Sequence, residues 1–359
     1  MSKLYTVGPV EMYPRTLEIG GKQIPYFRTA EFSEIMLSAT TSLKRLVDSG
    51  EDSEVVVLTA SGTAAMEATV MNCFTKDDRL LVINGGTFGQ RFVQICDIHE
   101  IPYKALEVPK GQALTEEMLL AAIENEEFTG LLVNIHETST GQLYNLQMLS
   151  DYCKKNNWCF VVDAISSFLA DEISVDKYGI DAMIMSSQKA LSLAPGLGIV
   201  VLSKKMIETR VNKIDSHSLY LDFKSHIENG KRGQTPFTPA VRVIIELEDM
   251  VKMLEEKGID NVIAHTALLA ADFRARIKEI GLTYPDYPLS NAVTPVHFEN
   301  GKAQEVYQIL KDEYGMVVNP SGGEAAKYAF RVGHIGNHSI ADNELLVNAI
   351  KEILNNGRI

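Results

Sequence analysis

At 359 residues the chain exceeds the usual size of one hydrophobic core, so two domains are expected; its 45% hydrophobic and 23% charged residues make an ordinary globular balance. The 34 basic and 47 acidic side chains leave a net charge of −13, which argues against nucleic acid or an anionic membrane as a partner. That charge still leaves room for a locally positive site that takes small anions. The four cysteines (Cys73, Cys96, Cys153, Cys159) form no C-x-x-C pair, so reduced thiols and a cytoplasmic location are expected. The opening MSKLYTVGPVEMYPR lacks the apolar stretch of a secretory leader, and no run approaches the roughly 18 apolar residues that would span a membrane.

Taken in chain order, residues 55–58 (VVVL) read as a buried strand and 64–73 as a helix. The pattern repeats with a strand at 79–84 and a helix at 89–99. A strand at 130–135, a helix at 146–156 and a strand at 159–163 (CFVVD) follow, then strands at 182–185 and 198–202. Strands alternating with helices at this pitch imply a mostly parallel sheet covered on both faces. Ligands in such sheets sit beyond the carboxyl ends of the strands. Residues 204–234 turn polar and patternless, and 239–258 form a long helical run. Helices at 261–280, 303–314 and 340–354, with extended segments at 293–298 and 328–332, point to a smaller α+β domain. The expected division is an N-terminal arm (1–15), a large domain (16–258) and a small C-terminal domain (259–359).

Three places at strand ends carry candidate chemistry. Ser61, Gly62 and Thr63 lie between a strand and a helix. A glycine there lets the backbone approach a ligand, and free N–H groups at the helix start attract an anion; the plain alternative is a helix cap. Asp163 ends an apolar strand, where it serves either a protonated ring nitrogen or a turn. Lys189 follows the strand at 182–185. A desolvated lysine loses pKa and becomes an imine-forming nucleophile, whereas an ordinary loop lysine does nothing. Together, phosphate cradle, acid and lysine are the functions that pyridoxal 5'-phosphate (PLP) requires.

On the run SSQKAL at 186–191 with APGLG at 194–198, joined to Ser61–Thr63, HETSTG at 136–141 and VDAISSF at 162–168, the chain resembles the class V (fold type I) PLP aminotransferases. It looks closest to the alanine–glyoxylate and serine–pyruvate group and to 2-aminoethylphosphonate–pyruvate transaminase. The resemblance implies an α/β fold type I transferase and a homodimer with shared active sites. The implied reaction moves an amino group from a small amino acid, alanine or serine, to glyoxylate or pyruvate by a ping-pong route. It implies that Lys189 forms the imine, Asp163 pairs with the pyridine nitrogen, and Gly62, Thr63 and Gln188 bind the phosphate. Phe88 would stack on the ring, with Ile165 on the opposite face. Ser139 would contact cofactor or substrate near the imine, Thr238 would reach the phosphate of the neighbouring subunit, and Arg331 would clamp the substrate carboxylate. The plain alternatives are a core aromatic for Phe88, a turn cap for Ser139 and a surface ion pair for Arg331. Thr63 matches the phosphonate branch and Gln188 the alanine–glyoxylate branch.

Other readings weigh less. Cysteine desulfurases of this fold class usually carry histidine at the stacking position and before the lysine, where this chain has Phe88 and Gln188. Ser186-x-x-Lys189 fits the pattern of serine acyl-hydrolases, in which the serine opens a helix. His334 and His338 lie four apart with Gly336 between them, which argues against a metal site on one helical face, and no metal is expected. A degenerate fold kept as a binding module is at odds with Lys189, Asp163 and Arg331 all being present.

Overall fold

A computed structural model describes residues 2–355. Their strands, in chain order, are β1 (Lys3–Tyr5), β2 (Glu54–Thr59), β3 (Leu80–Asn84), β4 (Tyr103–Glu107), β5 (Gly130–Asn134), β6 (His136–Glu137), β7 (Gln142–Leu143), β8 (Cys159–Asp163), β9 (Ala182–Ser186), β10 (Leu197–Leu202), β11 (Val293–His297), β12 (Met316–Pro320) and β13 (Ala329–Gly333). Seven form one sheet in the order β2-β10-β9-β8-β5-β3-β4. All its neighbours pair in parallel except those of β10, which runs antiparallel to both β2 and β9. The expected α/β architecture, mostly parallel in its large sheet, is what the chain adopts.

Alternation along each strand splits the interior in two. Val55, Val57, Leu81, Ile83, Leu131, Val133, Phe160 and Val162 face one core, under helices Ala30–Leu46, Leu146–Asn156 and Val241–Lys257. Val56, Leu58, Leu80, Val82, Leu132 and Val161 face the other, under helices Gly62–Cys73 and Gly89–Ile98. Each such side chain contributes about 1.5–3 kcal/mol by leaving water, so both faces of the sheet hold their helices.

The second sheet runs β1-β12-β13-β11. Tyr5, Val296, Val318, Phe330 and Val332 pack there on helices Ile259–Glu279, Ala303–Asp312 and Ile340–Asn355. Two of its strands carry no clear periodicity. β1 has three residues, and β12 (MVVNP) buries only Val318. The segment 204–234, expected to be patternless, holds the helix Phe223–Gly230, which buries only Phe223, His226 and Ile227. Two turns with three inward residues are too short for periodicity to register.

Candidate active site

The parallel strands of the large sheet end on one side, and the chemistry-bearing residues follow those ends. A pocket of about 130 Å³ lies among them. Ser61, Gly62, Thr63, Phe88, Asp163, Ile165, Gln188 and Lys189 line it, together with Arg91, His136, Thr138 and Ser166.

The anion cradle is built by the turn from β2 into the helix Gly62–Cys73. Ser61 caps that helix, its Oγ accepting from Ala64 N at 3.4 Å, so the cap and the pocket wall are one residue. At Gly62 an added Cβ would stand 2.6 Å from Ile165 Cδ1 and 3.1 Å from Ser186 Cβ, so only glycine leaves the space open. Thr63 Oγ1 accepts from Arg91 Nη1 at 3.0 Å.

Asp163 is 6% exposed. Its Oδ1 accepts from Ile165 N at 2.8 Å, so it caps the turn and lines the pocket at once. Burial pushes its carboxyl up to about 7, against the pull of the Ile165 hydrogen bond and of Lys189 and Arg91.

Lys189 sits in the loop between β9 and β10, which Ser187 locks from within. Ser187 Oγ donates to Ala194 O at 2.8 Å and accepts from Leu197 N at 3.1 Å, while Ser187 N donates to Leu197 O at 3.0 Å. The Lys189 amine is enclosed although the residue as a whole is partly exposed. The backbone of Gly8 lies against it: a Cβ at Gly8 would come within 2.5 Å of its Cδ and Nζ. Burial drives the amine down to about 8, which the facing Asp163 opposes and Arg331 and Arg91 reinforce.

The segment 136–139 runs from the short strand β6 into a turn. His136 and Thr138 line the pocket, whereas Glu137 is buried outside it and Ser139 lines a neighbouring cleft. Ser139 does not line the pocket of Lys189 itself. Its Oγ accepts from Thr87 N at 3.2 Å and donates to Glu137, and it lines the adjoining cleft of about 680 Å³ beside Arg331. Thr138 holds the inner position. Glu137 is fully buried and accepts from Phe88 N at 3.1 Å, Gly89 N at 3.0 Å and Asn134 Nδ2 at 3.0 Å. It thereby fixes the turn that presents Phe88. His136 Nδ1 lies 2.9 Å from Ser166 Oγ, itself 2.8 Å from Thr138 Oγ1, and the His136 Nε2 has no partner. Burial drives this imidazole down to about 3, so it is neutral.

Arg331, on β13, is half-buried. Its Nη1 donates to Thr138 O at 2.9 Å and its Nη2 to Pro320 O at 3.2 Å, and its Nε finds no acceptor. Among the described residues no ion pair includes it, so the surface-pair alternative does not hold. Phe88 is partly buried at the pocket wall rather than in the core, with the Arg91 guanidinium 4.8 Å from its ring centroid. Thr238 is exposed and does not line this pocket. Ser186 closes a strand instead of opening a helix. It is 2% exposed, with its hydroxyl engaged by Gln188 and Leu197 O, which removes the acyl-hydrolase reading.

Sequence reasoning gave no role to Arg91, His136, Glu137, Thr138, Ser166 or Gly8. One signal was available for Arg91: a cation in the first turn of a helix opposes the helix dipole and so calls for a local reason.

A family model described as Aminotransferase class-V matches residues 25–338. A Synechococcus protein named "Soluble hydrogenase, small subunit" is 28% identical over 355 residues, covering 97% of this chain and 91% of its own length. The 2-aminoethylphosphonate–pyruvate transaminase of Pseudomonas aeruginosa is 29% identical over 338 residues, covering 90% and 89%. The solved aspartate aminotransferase of subgroup IV from Thermus thermophilus superposes with a TM-score of 0.89 at 28% identity, covering 98% of both chains.

Proposed function

We infer the function from one premise: the chain belongs to the class-V aminotransferases. In this reading it moves an amino group from a small amino acid of the alanine or serine type to a small 2-oxo acid, glyoxylate or pyruvate, in two half-reactions with PLP as cofactor. The observation that carries it is the meeting, in one pocket at the strand ends, of an enclosed amine, a buried carboxyl and a helix-borne anion cradle. Three features fit the cofactor and its substrate: the space kept by Gly62, the unpartnered Nε2 of His136 and the unpaired guanidinium of Arg331.

When bound, PLP supplies an electron sink for the pair left at the substrate Cα. The protein does the rest. Ser61, Gly62, Thr63 and Gln188 would bind the phosphate, while Phe88 and Ile165 would hold the two ring faces. Asp163, buried where a shared proton is favoured, would keep the pyridine nitrogen protonated. Lys189 would hold the cofactor at its carbonyl carbon, and with substrate bound the freed Lys189 amine would move a proton at the substrate Cα. Arg331 orients the substrate carboxylate through a two-point contact, and Ser139 stands on the same side of the Phe88 turn. The Gly8 backbone lies against the amine. A homodimer belongs to this reading, with the exposed Thr238 serving the partner's phosphate, and so does a cytoplasmic location.

A second reading, 2-aminoethylphosphonate as amino donor, is favoured by the Pseudomonas relative and by Thr63. Arg331 would then act on the acceptor pyruvate. Purified protein given PLP should develop a visible imine band that Lys189→Ala abolishes; identical spectra for the two proteins defeat the proposal. A donor screen with glyoxylate and pyruvate decides between the two readings. Turnover of alanine or serine supports the first, and turnover of 2-aminoethylphosphonate alone replaces it with the second.

A further inference from the structure

We propose that Arg91 supplies the positive charge for the cofactor's phosphate, as a guanidinium seated beside the otherwise neutral cradle of Ser61, Gly62, Thr63 and Gln188. This rests on the PLP reading above and adds a residue to it. A phosphate at neutral pH carries between one and two negative charges, and burying it beside hydroxyls and amides alone leaves that charge uncompensated.

Of the side chains that line the pocket, only Lys189, Arg91 and the neutral His136 are basic. Lys189 is committed to the carbonyl carbon, which leaves Arg91. Its Nη1 donates to Thr63 Oγ1 at 3.0 Å, which puts the guanidinium at the start of the helix Gly62–Cys73. No carboxylate pairs with it among the described residues. Asp163 lines the same pocket without forming an ion pair to it.

The surroundings make that position unfavourable unless an anion arrives. Arg91 lies in the first turn of the helix Gly89–Ile98 and against the first turn of Gly62–Cys73, so two positive helix ends face it. The helix Gly89–Ile98 has a carboxylate of its own, Glu137, on Phe88 N and Gly89 N. The helix Gly62–Cys73 has no acid in its first turn. The uncompensated charge is therefore concentrated at the cradle. The Arg91 guanidinium also lies 4.8 Å from the Phe88 ring centroid, which fixes its plane and leaves its remaining N–H groups for a tetrahedral anion.

The test compares PLP with pyridoxal, which has the ring and the aldehyde but no phosphate. Apoprotein is titrated with each, following the imine absorbance, for wild type, Arg91→Gln and Arg91→Lys. Arg91→Gln should weaken PLP by about 10- to 100-fold, the range for a charge-assisted hydrogen bond. Pyridoxal should change by less than about twofold, and Arg91→Lys should recover part of the loss. Inorganic phosphate, used as a competitor of PLP, should lose potency by a similar factor in Arg91→Gln. Equal weakening of PLP and pyridoxal would mean that Arg91 only orders Phe88 or the fold, and overturns the proposal; so does no weakening of PLP. Wild type that binds neither compound defeats the PLP reading itself, a different result from either.

Discussion

At the scale of single residues, the site depends on an amine whose charge is set by its surroundings. A protonated lysine is no nucleophile. With burial holding Lys189 down to about 8, it is mostly protonated below that pH and mostly neutral above it. The rate of imine formation with pyridoxal, trapped by borohydride, should therefore climb with pH and level off just above about 8. A rate that keeps rising roughly tenfold per pH unit beyond pH 9 would show an ordinary, solvated lysine. Lys189 and Asp163 were legible in the sequence because a charged residue at the end of an apolar strand is out of place unless it has work to do. His136, Thr138 and Ser166 were not. Histidine, threonine and serine are unremarkable in any loop, and their importance comes from a hydrogen-bonded chain that joins residues 136 and 138 to 166. The side on which Ser139 stands was not legible for a related reason. Its neighbour Thr138 faces the pocket, and the turn that follows β6 decides which of the two does.

Among the elements, the loop between β9 and β10 is the one on which the lysine depends. Ser187 is fully buried and satisfies Ala194 O and Leu197 N with one hydroxyl. Ser187→Ala removes both bonds and leaves Leu197 N without this partner away from water, a loss of about 1–3 kcal/mol. Urea unfolding should show the midpoint falling with an unchanged slope, and the imine band should weaken in parallel. An unmoved midpoint would place the loop's order elsewhere. Six of the seven strands of the large sheet were readable because each is a run of about five largely apolar residues buried on both faces; the edge strand β4 (YKALE), which buries only Leu106, was not read. In the second sheet β1 and β12 were not, since β1 is a three-residue strand at the edge and β12 buries only Val318. The helix Phe223–Gly230 escaped notice because half-buried helices of two turns look like polar loops.

Across the whole molecule, the first described residues join what the two sheets separate. β1 pairs with β12 in the second sheet, Val7 N donates to Asn319 Oδ1 at 2.7 Å, and Gly8 then crosses the lysine of the first sheet's site. Gly8 has φ +152° and no room for a side chain. Gly8→Ala should therefore cost about 1–3 kcal/mol in backbone strain and contact. It should also slow imine formation at Lys189 while leaving the pH at which the rate levels off in place. A variant that matches wild type in unfolding midpoint and in rate would show that the strap does not bear on the site.

The reversed direction of β10 also bears on the order in which the site assembles. Antiparallel neighbours joined by a short loop need little chain closure, and such hairpins form in about 1–10 μs. By contrast, β10 reaches β2 only when Leu197 meets Thr59, across most of the large sheet's sequence, a slower and more costly closure. The loop that bears Lys189 can therefore close before Ser61–Thr63 docks beside it. In the PLP reading proposed above, aldehyde capture and phosphate anchoring would then be separable events in time, with capture able to come first.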